Sequence, residues 1–288
     1  MTTLPTLFLS HGSPMIALEP RAAGAFMQRL GSAINATFGQ PKAILVVSAH
    51  SLAREPLLFA AERHEAVYDF GGFDPQLNTL RYDAPGAPAL AERAAALIQA
   101  AGLPAHVVNR SGLDHGIWTP LRYLFPDAQI PVLPLAWPPD WAPAKLLALG
   151  AALAPLADEG VLILGSGSLT HNLRMVFGGG RMPPIDAPEI AESAAFRRWV
   201  QQRAAAGDWP ALVDYRAQAP HAALMHPTDE HWLPFYPAVG AGGSAGPAGH
   251  GKPGLRLHQS VDFGCLAMDA YAFGPQAARL QQALDAEG

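Results

Sequence analysis

Short apolar segments alternate along the chain with longer segments in which apolar residues recur at helical spacing. The continuous apolar runs at residues 43–48 and 160–165 are typical of buried parallel strands, and the alanine-rich segment at residues 88–101 is typical of a helix that ends at Gly102. The predicted strands cover residues 6–9, 43–48, 106–108, 131–135, 160–165, 255–258 and 261–271, and the predicted helices cover residues 22–36, 88–101, 142–156 and 188–206. This order predicts an α/β fold, a single layered domain whose central, mostly parallel or mixed sheet is flanked by helices.

No strong boundary divides the chain, so we expect a single domain over residues 1–288 with its core at about residues 6–271. Residues 240–251 consist almost wholly of glycine, alanine, serine and proline. Because strand-like sequence resumes directly afterwards, this segment is predicted to be a flexible surface loop rather than a linker between domains. His250 lies in it and is predicted to be solvated.

The composition fits a chain that buries a large core, since half of its 288 residues are hydrophobic and only 15% are charged. The formal net charge is -5 without a cluster of lysine and arginine, so we expect neither nucleic acid nor an anionic membrane as a partner. The start of the chain lacks the pattern of a signal peptide, and no stretch approaches the roughly 20 apolar residues that cross a bilayer, so we expect a cytoplasmic protein. The single cysteine, Cys265, excludes a disulfide within the chain and is predicted to lie in the core.

Three histidines follow predicted strands: His11, His50 and His171. Ligands of α/β proteins bind at the carboxyl ends of strands, so these three side chains are expected to converge there. His115 lies in a turn, where the preceding Asp114 is expected to orient one of its ring nitrogens. Imidazole is both a common metal ligand and the usual acid or base near neutral pH, which predicts a metal-dependent or acid–base site.

The remaining histidines carry less weight. His64, His106 and His258 lie among ordinary strand or polar residues and are expected to be structural. His221 and His226 lie close in sequence to a further histidine at position 231, and we consider them secondary candidates for substrate contacts.

The motifs that surround these histidines together resemble the DODA-type branch of the class III extradiol ring-cleavage dioxygenases, the 4,5-DOPA dioxygenase-like members of the LigB superfamily. In chain order they are His11-Gly12-Ser13-Pro14, Ser48-Ala49-His50, Tyr68-Asp69-Phe70-Gly71-Gly72-Phe73, Tyr82-Asp83-Ala84-Pro85-Gly86, Leu113-Asp114-His115-Gly116-Ile117-Trp118, His171-Asn172-Leu173 and Glu230-His231-Trp232-Leu233-Pro234. The resemblance extends from about residue 6 to residue 271 and implies one catalytic domain with a non-haem metal centre.

The resemblance implies a metal site made by His11, His50 and His231. The wider superfamily has a carboxylate as the third ligand, as in the facial triad of Fe(II) oxygenases, so Glu230 is a rival to His231. Fe(II) is the metal expected for activity, and Zn(II) is a plausible occupant of the isolated protein.

The resemblance further implies that His171 is the acid–base residue and that His115 contacts substrate or oxygen. The expected partners are a small aromatic diol, DOPA-like or another substituted catechol, and O₂, which yield a ring-opened semialdehyde. Trp118, Trp232 and Tyr236 are candidates for the pocket wall, whereas Phe70 is expected in the core. A substrate carboxylate needs a cation, for which Arg174 is a candidate.

Two other functions stay open from the sequence. The same histidines with Zn²⁺ would also activate water in a zinc-dependent hydrolase, although the chain has no His-Glu-x-x-His motif. A non-enzymatic metal-binding relative on the same scaffold, of the kind seen in the Memo group, is the second alternative. The identity of the catechol and the oligomeric state are likewise open.

Overall fold

The computed structural model describes residues 3–243 and 251–286, in which strands and helices alternate as predicted. The strands are β1 (Thr6–Ser10), β2 (Ala43–Ser48), β3 (Leu57–Phe59), β4 (Arg63–His64), β5 (Ala84–Pro85), β6 (His106–Val108), β7 (Val132–Ala136), β8 (Val161–Gly167), β9 (Leu255–His258), β10 (Val261–Asp262), β11 (Leu266–Ala267) and β12 (Ala270–Phe273). The helices are α1 (Arg21–Phe38), α2 (Pro88–Ala100), α3 (His115–Leu124), α4 (Pro143–Leu153), α5 (Pro155–Asp158), α6 (Leu173–Phe177), α7 (Ala191–Ala205), α8 (Trp209–Val213), α9 (Tyr215–Gln218), α10 (Ala222–Met225), α11 (Phe235–Ala241) and α12 (Ala277–Ala286), with short 3-10 helices at Pro14–Ala17 and Pro75–Thr79.

The central sheet has eight strands in the order β6-β3-β7-β2-β8-β1-β12-β9. Its four middle strands, β7, β2, β8 and β1, are mutually parallel, whereas β3 and β12 run antiparallel to their middle-strand neighbours. The mixed, mostly parallel α/β fold expected from the sequence is therefore confirmed. The carboxyl ends of the four middle strands lie along one edge of the sheet, the position where such folds bind ligands.

Helices cover both faces of the sheet, which explains why the middle strands are continuously apolar. Along β2 the side chains alternate between the faces: Ile44 and Val46 pack with α1, α3 and α12, and Leu45 and Val47 pack with α2, α4, α7 and α11. These four side chains are fully buried. The two layers hold the sheet edge in place and thereby position the loops that leave it.

One close approach fixes α1 against α3. A β-carbon added at Gly31 would lie 1.9 Å from the carbonyl oxygen of Leu124, so no larger residue fits here without movement. Leu30, on the adjacent position of α1, is fully buried. Because α3 begins at His115, this contact also helps to set where that histidine lies.

Several predicted boundaries differ from the structure. The helix predicted at residues 142–156 is divided into α4 and α5, because Pro155 begins a new helix. The strand predicted at residues 261–271 is divided into β10, β11 and β12. A turn in which Phe263 and Gly264 have φ angles of 54° and 69° separates β10 from β11, and residues 268–269 separate β11 from β12.

The glycine-rich segment is only partly described: residues 240–241 end α11, and residues 244–250, including His250, lie outside the described residues. Cys265 is buried, as predicted. Among the described helices, none has the length and apolarity that a membrane span requires.

Candidate metal centre and substrate cavity

Five histidines converge at the carboxyl edge of the sheet, and we call them the histidine cluster: His11, His50, His115, His171 and His231. The ring centroid of His11 lies 5.1 Å from that of His50, 5.4 Å from that of His115 and 5.5 Å from that of His231. His171 stacks on His231 at 3.4 Å between centroids and 9° between planes. All five line one cavity of about 860 Å³, which we call the histidine cavity.

Five segments of the chain meet at this point. His11 follows β1 directly, His50 follows β2 after one residue, and His171 follows the short turn after β8. His115 is the first residue of α3, and His231 lies in the turn before α11. The convergence that the sequence predicted for the three histidines after strands is therefore present, and two more histidines join them.

The Gly-Ser-Gly end of β8 makes room for the turn that carries His231. A β-carbon at Gly165 would lie 2.1 Å from the carbonyl oxygen of Pro234, and one at Gly167 would lie 2.1 Å from that of His231. The backbone N–H of Ser168 donates to the His231 carbonyl at 2.8 Å. Glycine is thus required because two backbones touch, rather than for a turn of the chain.

The tautomer of His11 follows from its partners. The hydroxyl of Ser166 donates to the carbonyl oxygen of Gly116, so it accepts from Nδ1–H of His11 at 3.0 Å. Nε2 of His11 consequently carries a lone pair, and it lies 3.2 Å from Nε2 of His50. Two nitrogen lone pairs at this distance repel each other unless a proton or a cation lies between them.

His231 supplies a third nitrogen. Its Nδ1 lies 3.2 Å from Oε1 of Glu230, which leaves Nε2 free to act as a ligand. One ring nitrogen each of His11, His50 and His231 lies within 4.8 Å of the others. Glu230 is not part of that set, but it forms a second group of possible ligands with His171 and His231. Because it also accepts from the hydroxyl of Thr228 at 3.0 Å and lies beside Nδ1 of His231, its position suits support of His231.

His115 is oriented by Asp69 and not by Asp114, which corrects the expectation from the sequence. Oδ1 of Asp69 accepts from both the backbone N–H and Nδ1 of His115, each at 3.0 Å. Asp114 instead accepts from the hydroxyls of Ser48 and Ser51 at 2.7 and 2.6 Å. Asp114 precedes α3 and faces the end of β2, whereas Asp69 approaches the ring from a distant loop that the sequence pattern does not place.

Burial favours the neutral form of four of the five histidines. Burial, followed by the neighbouring histidines, lowers the pKa of His50 to about 3 and that of His171 to about 2. Burial likewise lowers the pKa of His11 and His231. Neutral imidazoles with converging lone pairs and carboxylates behind them are the donor set that a divalent transition metal requires, so the residues present fit such an ion.

The cavity wall differs from the one predicted. Trp118, Trp232 and Tyr236 are buried in the core and do not line the cavity, because the helices and turns that carry them face the sheet. Phe70, which we expected in the core, lines the cavity, and its ring lies 5.7 Å from that of His115 in an edge arrangement.

The polar candidates beyond the cluster also differ. Arg174 does not line the cavity, whereas Arg21 and Arg181 do. Neither His221 nor His226 reaches it: His221 is exposed, and His226 is fully buried with its Nε2 2.8 Å from the carbonyl of Leu169. Sequence spacing gave no signal for Asp69, Ser166 or Arg21. Asp69 and Ser166 lie far along the chain from the histidines that they contact, and no local pattern places Arg21 in the cavity.

Comparisons with known proteins agree with this geometry. Residues 5–260 match the family described as the catalytic LigB subunit of aromatic ring-opening dioxygenase. The chain is 36% identical over 270 residues to a 4,5-DOPA dioxygenase extradiol of Beta vulgaris, covering 93% of this chain and 96% of that one. It is 35% identical over 246 residues to the protein of that name in Escherichia coli K12, covering 83% and 86%. The solved structure of an uncharacterized protein of Escherichia coli K12, JW3007, superposes with a TM-score of 0.72 at 30% identity and covers 94% of this chain and 100% of that one.

Proposed function

Because the chain belongs to the LigB family and is an extradiol dioxygenase that opens catechol rings, we propose that His11, His50 and His231 hold its catalytic metal and that this metal is Fe(II). The observation that carries the proposal is the approach of Nε2 of His11 to within 3.2 Å of Nε2 of His50, with a nitrogen of His231 beside them. Neither a zinc hydrolase nor a non-enzymatic relative is favoured by these similarities.

When bound, Fe(II) would supply both redox chemistry and open coordination positions. Zn²⁺ is redox-inert and would supply only the open positions. Zn²⁺ fits the same three imidazoles and is a plausible occupant of the isolated protein. The protein contributes fixed directions for two of the three nitrogens: Ser166 holds Nδ1 of His11 and Glu230 holds Nδ1 of His231. Such partners preserve the tautomer and the ring orientation that ligation needs.

We assign His171 as the proton acceptor for a catechol hydroxyl. Its low pKa keeps the ring neutral, so a lone pair is available at neutral pH. A catecholate anion forming beside the ring favours the imidazolium and raises the pKa of His171, which allows the ring to keep the proton until it is returned to product. The stack on His231 fixes the plane of His171.

We assign His115 as the contact for a substrate or dioxygen oxygen atom. Asp69 occupies its Nδ1 and backbone N–H, which leaves Nε2 as the ring atom available to a ligand. Phe70 stands edge-on beside it and offers an apolar surface to a planar ring. Together these residues would hold the diol flat, exclude water and place charge stabilisation where oxygen is inserted.

The substrate we propose is a substituted catechol, cleaved beside its two hydroxyls to an open-chain semialdehyde. Relatives in Beta vulgaris and Escherichia coli are named 4,5-DOPA dioxygenases, so DOPA is one candidate. A single catalytic domain over residues 1–288, a cytoplasmic location and the lack of a nucleic-acid partner stay predictions from the sequence.

Oxygen uptake after anaerobic loading with Fe(II) tests the proposal. We expect uptake with a catechol panel and a new visible absorbance from the ring-opened product, and neither from the matched Zn²⁺-loaded protein. Equal turnover with zinc, or ring cleavage between the two hydroxyls, would contradict it.

A further inference from the structure

The histidine cavity is larger than a catechol ring with a short arm requires. Its volume of about 860 Å³ lies in the upper part of the range of roughly 300–1,000 Å³ that encloses drug-sized ligands. The ring itself is placed by the cluster and by Phe70. The space beyond Phe70 is therefore available to a substituent on that ring.

Apolar side chains line that outer space and face solvent. Leu173, Phe177 and Met182 line the cavity and are 43%, 58% and 51% exposed. We call these three residues the apolar rim. They make up half of the six exposed large hydrophobic residues in the described part of the chain, and they fall within ten residues of one another, on α6 and the loop that follows it. An apolar patch continuous with a ligand cavity is typical of a surface that the ligand covers.

The charged residues that line the cavity are of both signs. Among the described lining residues, three are acidic (Glu19, Asp74 and Asp262) and two are basic (Arg21 and Arg181). Arg21 donates to Glu19 through Nη2, while its Nη1 is buried with no hydrogen-bond partner among the described residues. Burial raises the pKa of Asp262 and the charge of Arg21 opposes that rise, so Arg21 serves two carboxylates at once. Arg181 is exposed on the loop after α6.

We propose that this enzyme selects catechols with a bulky, uncharged apolar substituent, which the apolar rim covers, over catechols with an amino-acid arm such as DOPA. The inference rests on the proposed function of the histidine cavity and specifies its substrate class. A hydrophobic substituent gains by leaving water against Phe177 and Met182. A carboxylate at the same place would lose hydration against the apolar rim without gaining a comparable contact there.

The test compares kcat/KM of the Fe(II)-loaded enzyme for catechol, 4-phenylcatechol, L-DOPA, caffeate and caffeate methyl ester. The ester and the acid have the same ring and linker, so their ratio isolates the charge. We expect both 4-phenylcatechol and the ester to exceed L-DOPA and caffeate by about tenfold or more. A kcat/KM for L-DOPA equal to or above that for 4-phenylcatechol would overturn the inference.

Variants test whether the apolar rim is responsible. Phe177→Ala and Met182→Ala should each lower the ratio of kcat/KM for 4-phenylcatechol to that for catechol by about tenfold. Leu224→Ala removes an apolar side chain that is 40% exposed and does not line the cavity, and it should leave this ratio unchanged. An unchanged ratio in both rim variants would remove the rim from substrate selection.

Binding separates this inference from the proposed function. Anaerobic titration of the Zn²⁺-loaded protein, followed by tryptophan fluorescence, measures affinity for the same compounds without turnover. If no catechol is cleaved, the proposed function fails, and the inference still stands or falls on whether 4-phenylcatechol binds more tightly than L-DOPA. If catechols are cleaved but L-DOPA binds best, the inference alone fails.

Discussion

Ser166 on β8 and His11 after β1 are joined by a hydrogen bond of 3.0 Å that determines which nitrogen of His11 faces the cavity. The serine hydroxyl donates its proton to the carbonyl of Gly116. In its bond with His11 the serine is therefore the acceptor and the imidazole N–H is the donor. Register makes the pair possible, since Leu9 and Ser166 are paired between the parallel strands β1 and β8. Ser166, a buried residue of the sheet, thus fixes the tautomer of His11 in the loop that follows β1.

Ser166→Ala should weaken metal binding by about 10–100-fold, because His11 loses the partner that fixes its tautomer and ring orientation. Competition with a chelator of known affinity measures the change. Ser193→Ala also removes a buried hydroxyl, one bonded to Glu189 far from the cluster, and should bind metal normally. Equal affinity of the Ser166 variant and the parent protein would show that Ser166 does not act through His11.

His11→Ala and His50→Ala should each abolish stoichiometric metal binding, because only two of three imidazoles would remain to hold the ion. Elemental analysis after dialysis against limiting metal provides the measurement. The control is His106→Ala, which removes an exposed histidine that contacts Glu55 on the surface. Full occupancy in either cluster variant would exclude that histidine as a ligand.

His171→Ala should retain the metal and lose turnover, with kcat lowered by about 10²–10⁴-fold through loss of the proton acceptor. Oxygen uptake and metal content must be measured on the same preparation. Retention of most of the ring-cleavage activity would contradict the assignment of His171, and loss of the metal would instead identify it as a ligand.

The metal-free protein should lose stability as the pH falls below about 6.5, the usual pKa of a histidine in an unfolded chain. In the folded state the pKa is lowered to about 3 at His50 and about 2 at His171, so between these values the unfolded state binds more protons than the folded state. Each such histidine steepens the dependence by up to about 1.4 kcal/mol per pH unit.

Denaturant unfolding of the metal-free protein between pH 7 and 4.5 measures this slope. His50→Gln should flatten it, whereas His106→Gln, at an exposed position, should not. Identical slopes for the parent protein and the His50 variant would show that the cluster is not buried in its neutral form.

Gly31→Ala should destabilise the fold by about 1–3 kcal/mol, because its β-carbon would enter the space of the Leu124 carbonyl and push α1 away from α3. Ser32→Ala, the neighbouring and exposed position on the same helix, should have little effect or stabilise slightly. Thermal unfolding of both variants decides the matter. Equal melting temperatures would mean that the two helices separate at no cost.

The parts of the fold that the sequence predicted are those with strong local signals. Continuous apolar runs identified the middle strands β2 and β8, and the position of His11 and His50 after strands predicted their convergence. Short elements such as β3, α6 and α10 were not predicted, because two to five residues carry too little periodicity.

The partners of the cluster were predicted less well than its members. Asp69 rather than Asp114 orients His115, and Phe70 rather than Trp118 lines the cavity. Asp69 and Phe70 lie on one loop that is more than 40 residues from His115 in the sequence. Long-range loop placement depends on tertiary packing, which no local pattern encodes.

Because the cluster is built from separate segments of the chain, a metal ion held by His11, His50 and His231 would act as a removable cross-link. Residues 11, 50 and 231 belong to segments that meet only when β1, β2 and the turn before α11 are all in place. A cation bound there closes loops that span most of the chain, and it binds the native state alone, so its binding free energy adds to that of folding. Metal binding would therefore depend on the folding of the whole domain. Removal of the metal by a chelator should lower the stability of elements far from the cavity.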